Sequence, residues 1–273
     1  MLEVSTFESI PVEIRIVIYE HLLNDNHHKE LQIRNERPDK FFKRENVSRT
    51  VYYVAERSLY RPTRRTTYHT TSNIDMHTSI MRVNRKVYGE TARILYGTHT
   101  FSFDRDIEAI VPFLGDLEPE TRSLVKGISL LKDGRIWNLD SDRCQWMEAC
   151  DFIGNHLQLE SLTLVVEGRQ PVLKTPARPK LTTSDFRSLL KVQYEPLDWV
   201  WQLFAIKGLT KLHIISRIQQ CHISMPYSSA MAFFIAFSAS IEDAFSEFLI
   251  AELVGVIRGT RNDKLFLTPK PEV

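Results

Sequence analysis

The chain has 273 residues, of which 43% are hydrophobic, and its formal net charge at pH 7 is +1. This length and apolar content suit one large domain or two small ones, and the near-neutral charge gives no overall field that attracts nucleic acid or a membrane. Three cysteines argue against a secreted disulfide scaffold, and the first residues lack the basic and apolar regions of a signal peptide. We therefore expect an intracellular protein, in the cytoplasm or nucleus.

The first predicted element is a helix over residues 10–23. Pro11 suits the first turn of a helix, and Glu13 places a negative charge near its positive end. Most of the circumference is apolar, so one face can pack on the rest of the chain while the other needs a second cover. The positions spaced for one face are Ile10, Ile14, Val17 or Ile18, and His21 or Leu22.

Residues 24–78 have a different character and are predicted to be a basic, partly disordered insertion. Between His27 and Thr70 there are eleven Lys or Arg and five Asp or Glu, a local net charge of +6. Residues 50–56 could form a strand, which gives the insertion one hairpin, and residues 61–73 are typical of a loop. Arginines interleaved with tyrosines could hold phosphates and stack bases, but the modest charge ranks nucleic-acid binding third among the functions considered.

Residues 80–103 combine helical spacing with a short strand. Val83, Val87 and Thr91 share one helical face, and Gly97 lies where a helix often ends in the left-handed conformation. Phe101 and Phe103 then alternate at a period of two. This helix-to-strand joint ends a predicted helical N-terminal part, residues 1–103.

Residues 104–259 predict an α/β part in which helices and apolar strands alternate, a pattern typical of parallel strands with helical crossovers. Two strands share the pattern L-x-x-L-x-[LI], one from Leu159 and one from Leu209, so we expect a small, irregular leucine-rich-like layer. A flexible tail, residues 260–273, follows. The predicted helices span residues 107–114, 119–124, 142–156, 197–206 and 228–257, and the predicted strands span residues 127–131, 159–166 and 209–215, with an exposed connection at residues 169–180.

Motifs that carry chemistry are missing from the sequence. Cys144, Cys150 and His156 are six residues apart, a spacing that points helical side chains in different directions and does not suit a zinc site. The glycines form no phosphate-binding loop, and no nucleophile motif occurs. The apolar core of the last helix is too short to span a bilayer. We expect no enzyme activity, no metal, no cofactor and no membrane insertion.

Two blocks of the sequence resemble the halves of an F-box. The first, from Ser9 to Leu23, follows the pattern L-P-x-E-[IL] with an apolar series at four-residue spacing, and Ile10 takes the place of the leucine. The second runs from Met81 to Gly97 and continues into Thr-Phe-x-Phe. Together they resemble an F-box-like (EXR-type) family of filamentous ascomycete proteins. Glu13-Ile14-Arg15 supplies one E-x-R, and Glu120-Thr121-Arg122 offers another.

This resemblance implies a substrate receptor of an SCF-type ubiquitin ligase, which docks on a Skp-type adaptor and recruits an unknown protein target through its C-terminal region. The alternative is an intracellular protein-interaction module with no ubiquitin role, in which the first helix is wholly internal. An F-box has nearly contiguous helices, whereas here some fifty-five residues separate the two blocks. The partner-binding residues carried over from the family pattern are Ile10, Pro11, Ile14, Ile18 and Leu22, supported by Val83 and Val87.

Overall fold

The computed structural model describes residues 7–23, 30–35, 51–55, 65–70, 76–104, 106–132, 140–171, 179–221 and 228–254. The protein is mixed α/β, as the sequence predicts, and it divides into two compact units. The first unit holds residues 1–130 with residues 156–158, and the second holds residues 131–155 with residues 159–273. The predicted boundary at residue 103 rests on sequence character and stays a prediction.

The first unit contains a mixed sheet whose strands are β1 Glu30–Asn35, β2 Val51–Ala55, β3 Arg65–Thr70, β4 Thr100–Ser102 and β5 Gly127–Lys132. Their order in the sheet is β2-β3-β1-β4-β5. Parallel pairing places Leu31 beside Phe101 and Phe101 beside Ile128, whereas β3 runs antiparallel to both β1 and β2. All three of these apolar side chains are fully buried.

Two of these strands correct the prediction for the insertion. The predicted strand at residues 50–56 is confirmed as β2, but its hairpin partner β3 lies in a stretch that the sequence assigned to a loop. The strand β1 was not predicted. Neither β1 nor β3 carries a sustained apolar pattern, so pairing with other strands defines them. Residues 24–29, 36–50, 56–64 and 71–75 lie outside the described residues, as do Arg57, Arg61 and Arg64.

The helices of the first unit agree with the predicted positions, and the second of them begins at a clear cap. The side chain of Asn84 accepts a hydrogen bond from the Val87 N–H at 2.9 Å. The helix then buries Val87, Thr91 and Leu95 against the core. The helix bounds are α1 Val12–Leu23, α2 Arg85–Thr98, α3 Ile110–Gly115 and α4 Pro119–Arg122.

The predicted glycine stop of this helix is wrong. Gly97 lies inside α2, and the residue that follows the helix, His99, has extended backbone angles rather than left-handed ones. Side chains satisfy the last carbonyls instead: Thr98 Oγ1 donates to the Ile94 carbonyl at 2.6 Å, and His99 Nδ1 lies 2.9 Å from the Leu95 carbonyl oxygen. Burial lowers the pKa of His99, which favours a neutral imidazole as the donor.

The second unit pairs two long parallel strands whose sequences share the leucine pattern. The register places Leu162 beside Leu212 and Leu164 beside Ile214, so the pattern marks neighbouring strands. Both strands run further than predicted, and the first of them takes in the start of the expected connection at residues 169–180. The element bounds are α5 Asp140–His156, β6 Ser161–Pro171, α6 Thr183–Lys191, α7 Asp198–Leu203, β7 Lys211–Cys221, α8 Ser229–Ser240 and α9 Ser246–Leu253.

Aromatic side chains fill the core of this unit. Phe245 lies in a π-helical turn, Ile241–Phe245, that joins α8 to α9. Its ring is 5.0 Å from that of Phe237, 5.1 Å from that of Phe186 and 5.8 Å from that of Trp199. The predicted C-terminal helix is therefore confirmed over residues 229–253, with one irregular turn inside it.

Candidate partner-binding site

A polar cluster holds the first helix against the second. Arg15 on α1 is only 5% exposed and donates to Glu90 on α2 through two bonds, Nε to Oε2 at 3.0 Å and Nη2 to Oε1 at 2.6 Å. The Tyr19 hydroxyl donates to Glu90 Oε2 at 2.9 Å. The Arg15 guanidinium lowers the pKa of Glu90, and the carboxylate in turn raises the pKa of Arg15. Both groups therefore stay charged, and two parallel bonds fix their relative orientation.

The same arginine also orders the turn before the helix. Arg15 Nη1 donates to the Ile10 carbonyl at 2.6 Å and to the Glu8 carbonyl at 3.2 Å. The Glu8 carboxylate accepts from the Asn84 side chain at 2.7 Å, which connects this turn to the start of α2. We name Arg15, Tyr19, Glu90, Glu8 and Asn84 the polar anchor.

The second E-x-R of the sequence uses its arginine in a similar way. Arg122 donates to the carbonyls of Leu114 and Leu117, both at 2.8 Å, and to that of Gly115 at 3.2 Å. Like Arg15, it binds carbonyl oxygens at the end of a preceding turn. In both motifs the arginine is therefore a structural residue.

The face of α1 that points away from the anchor is apolar and open. Ile14 is 52% exposed and Val17 is 61% exposed. Val12 and Ile16 are exposed as well, but they lie about 100° or more around the helix from these two residues, on the side of Tyr19. Val17 lies one helical turn from Ile14 and also one turn from Glu13 and Glu20, both exposed. The result is an exposed apolar face bordered by carboxylates. We name Ile14 and Val17 the exposed face.

The predicted site residues differ in how far they reach this surface. Pro11 and Ile14 are exposed, whereas Ile10, Ile18 and Leu22 are half-buried. Ile14, Ile18 and Leu22 follow one another at four-residue spacing on one side of the helix, so the helix brings them together.

Two further valines complete the comparison with the sequence. Val83, which the sequence predicts as support for the site, is exposed, whereas Val87 is buried in the core and is not available to a partner. Val17 shared the predicted face but was not among the predicted contacts, although it is the most exposed apolar residue of α1. The sequence did not reveal the polar anchor, for which Arg15, the one arginine in a largely apolar helix, was the available signal.

Other chemistry is sparse in the part of the chain that the structure describes. No three His, Cys, Asp or Glu side chains there lie close enough together to hold a metal ion. Burial raises the pKa of the Cys150 thiol to about 12, which keeps it protonated and unreactive. No described helix has both the length and the apolar content needed to cross a bilayer.

The family described as "Domain of unknown function (DUF7730)" matches residues 3–175, more than half of the chain. The chain belongs to this family. The matched residues contain all of the polar anchor and all of the exposed face. No curated protein and no solved structure matches the chain.

Proposed function

We propose that this family member is an F-box-like adaptor that docks a Skp-type subunit of an SCF ubiquitin ligase through the exposed face of α1. The observation that carries the proposal is the exposure of Ile14 and Val17 on a helix whose opposite side is fixed by Arg15 and Glu90. Exposed apolar side chains that cluster on one rigid face are typical of a protein-interaction surface. Binding, rather than catalysis, is the role that this surface suits.

The resemblance to an F-box supports this choice of partner. Ile14, at the position after the glutamate of the F-box pattern, is 52% exposed. Ile18 and Leu22 continue the same line along the helix. The second unit, with its parallel strands, is free for target recruitment in this proposal.

A protein-interaction module without a ubiquitin role remains the second candidate. The sequence-based version of this hypothesis has α1 wholly internal. The 52% exposure of Ile14 counts against that version. The exposed face could serve another protein partner equally well in chemical terms. The identity of the captured partner therefore separates the two candidates.

A binding assay with recombinant Skp-type adaptor from a filamentous ascomycete tests the proposal. The full-length chain is immobilised, and the adaptor is titrated over wild type, Ile14→Asp and Val17→Asp. Because buried apolar anchors at interfaces contribute about 2 kcal/mol or more, each substitution should weaken binding by about thirtyfold. Val192→Asp is the matched control, since Val192 is 72% exposed in the second unit.

The control should bind the adaptor as wild type does. Saturable binding that Ile14→Asp and Val17→Asp each weaken by about thirtyfold, with Val192→Asp unchanged, supports docking through α1. An adaptor that does not bind the folded wild-type chain would overturn the ubiquitin proposal and leave the module with another partner.

A further inference from the structure

The strand β7 has one edge without a partner strand among the described residues. It pairs with β6 along eleven residues, from Lys211 to Cys221, and no described strand pairs with its other edge. A β-strand directs main-chain N–H and C=O groups to both sides, so this edge presents a row of donors and acceptors. Such a row can take up an extended peptide as an additional strand.

The side chains of β7 divide into a helix-facing set and an open set. On the helix-facing side, Leu212 is buried and the Ser216 hydroxyl donates to the carboxylate of Glu242 in the π-helical turn. The side chains of the alternate positions are exposed, and Ile215, in the middle, is 50% exposed. The open set consists of Lys211, His213, Ile215, Arg217 and Gln219.

The charges of β7 indicate which kind of segment can pair with its open edge. From Lys211 to Cys221 there are two basic residues and one histidine but no carboxylate. Edge-to-edge pairing of two copies would place two such strands about 4.8 Å apart, where like charges repel. On the neighbouring strand, Glu167 pairs with Arg217 at 3.5 Å and offsets that charge, but the exposed Arg169 adds a positive charge on the same side of the sheet. An acidic segment complements this edge better than a second copy does.

We infer that the outer edge of β7 binds an extended acidic segment of a partner protein by strand addition. The main chain of the segment pairs with β7, a carboxylate lies beside Lys211, and an apolar residue packs on Ile215. This inference concerns the second unit alone and does not depend on what docks on α1. A failure here leaves the adaptor proposal standing, and the reverse also holds.

A fluorescent peptide tests the inference on the full-length chain. The probe is Glu-Thr-Glu-Thr-Val-Thr-Glu-Thr-Glu, which reads the same in both directions and therefore suits parallel and antiparallel addition. One control replaces every glutamate by lysine, and the other replaces alternate threonines by proline, which keeps the charge but removes main-chain donors. Fluorescence anisotropy should show saturable binding of the probe, with both controls at least about tenfold weaker.

A charge variant locates the site. Lys211→Glu should weaken binding of the probe by about tenfold because it replaces an attraction with a repulsion. Lys191→Glu, at the exposed C-terminal end of α6, should leave binding unchanged. Thermal denaturation of both variants checks that the fold is kept.

Several results would overturn the inference. These are no saturable binding up to about 1 mM, equal binding of the proline peptide, and equal affinity of the two charge variants. Light scattering could also overturn the inference. A dimer that dissociates when the probe is added would show that the edge of β7 pairs with a second copy of the chain.

Discussion

The helices α1 and α8 are both apolar around most of their circumference, but they differ in how far their apolar side chains are buried. In α8, Phe234, Ile235 and Phe237 are all buried. In α1, Ile14 and Val17 are exposed, and the most deeply buried positions include an arginine. Apolar composition therefore does not decide burial by itself; what packs around a helix decides it.

The difference lies in how each helix is held. Aromatic rings surround α8 and the turn after it, so apolar packing fixes that helix. In α1 the polar anchor fixes the helix through Arg15 and Glu90, which leaves apolar side chains for the outer surface. Each square ångström of apolar area left in water forgoes roughly 25 cal/mol of burial, and a partner that covers it recovers that free energy.

The largest expected effect comes from the aromatic core. Phe245→Ala removes a fully buried ring that contacts Phe186, Phe237 and Trp199, and it should lower the free energy of unfolding by about 3–5 kcal/mol. Urea denaturation measures the change. A loss below about 1 kcal/mol would contradict the claim that aromatic packing fixes α8.

The next largest effect is the pH dependence of stability that the ion pair of the polar anchor causes. The folded pKa of Glu90 lies below its ordinary value of 4.5, so the ion pair stabilises the fold above that value and loses its contribution as the pH falls through the folded pKa. Glu90→Gln should lower the Tm at neutral pH. It should also flatten the fall in Tm between about pH 5 and about pH 3. An unchanged acid profile would contradict this role for the anchor.

A smaller effect is expected for the hydroxyl of the anchor. Tyr19→Phe keeps the buried ring, which lies 5.9 Å from Phe7, but removes the hydrogen bond to Glu90. The expected loss is about 1 kcal/mol, the usual net contribution of a hydrogen bond. The double variant Tyr19→Phe with Glu90→Gln should cost less than the sum of the two single losses, because both act on one network.

The smallest effect on stability is expected on the exposed face. Val17→Asp places a charge where water already reaches the side chain, so the free energy of unfolding should change by no more than about 0.5 kcal/mol. Urea denaturation beside Val192→Asp gives the comparison. A loss as large as that of Phe245→Ala would show that Val17 is part of the core.

The sequence predicted the elements whose signals are local. The shared leucine pattern located β6 and β7, and Pro11 marked the start of α1. The first helix was also expected to have one side left to cover. These features depend on neighbouring residues, which a sequence displays directly.

What the sequence did not predict depends on distant partners. The strand β1 pairs with β4, about seventy positions later in the chain, and Arg15 donates to Glu90, seventy-five positions away. The end of α2 used the side chains of Thr98 and His99 where a glycine stop was expected. Such choices follow from tertiary packing, which local periodicity does not encode.

The accessibility of position 17, with and without the adaptor, tests the central claim most directly. In Val17→Cys, maleimide labelling followed by mass spectrometry compares the introduced thiol with Cys144, an exposed cysteine that serves as an internal control. The account predicts that both label rapidly in the free protein and that saturating Skp-type adaptor protects only the introduced thiol. Slow labelling of position 17 in the free protein, or rapid labelling of both thiols in the presence of the adaptor, would contradict it.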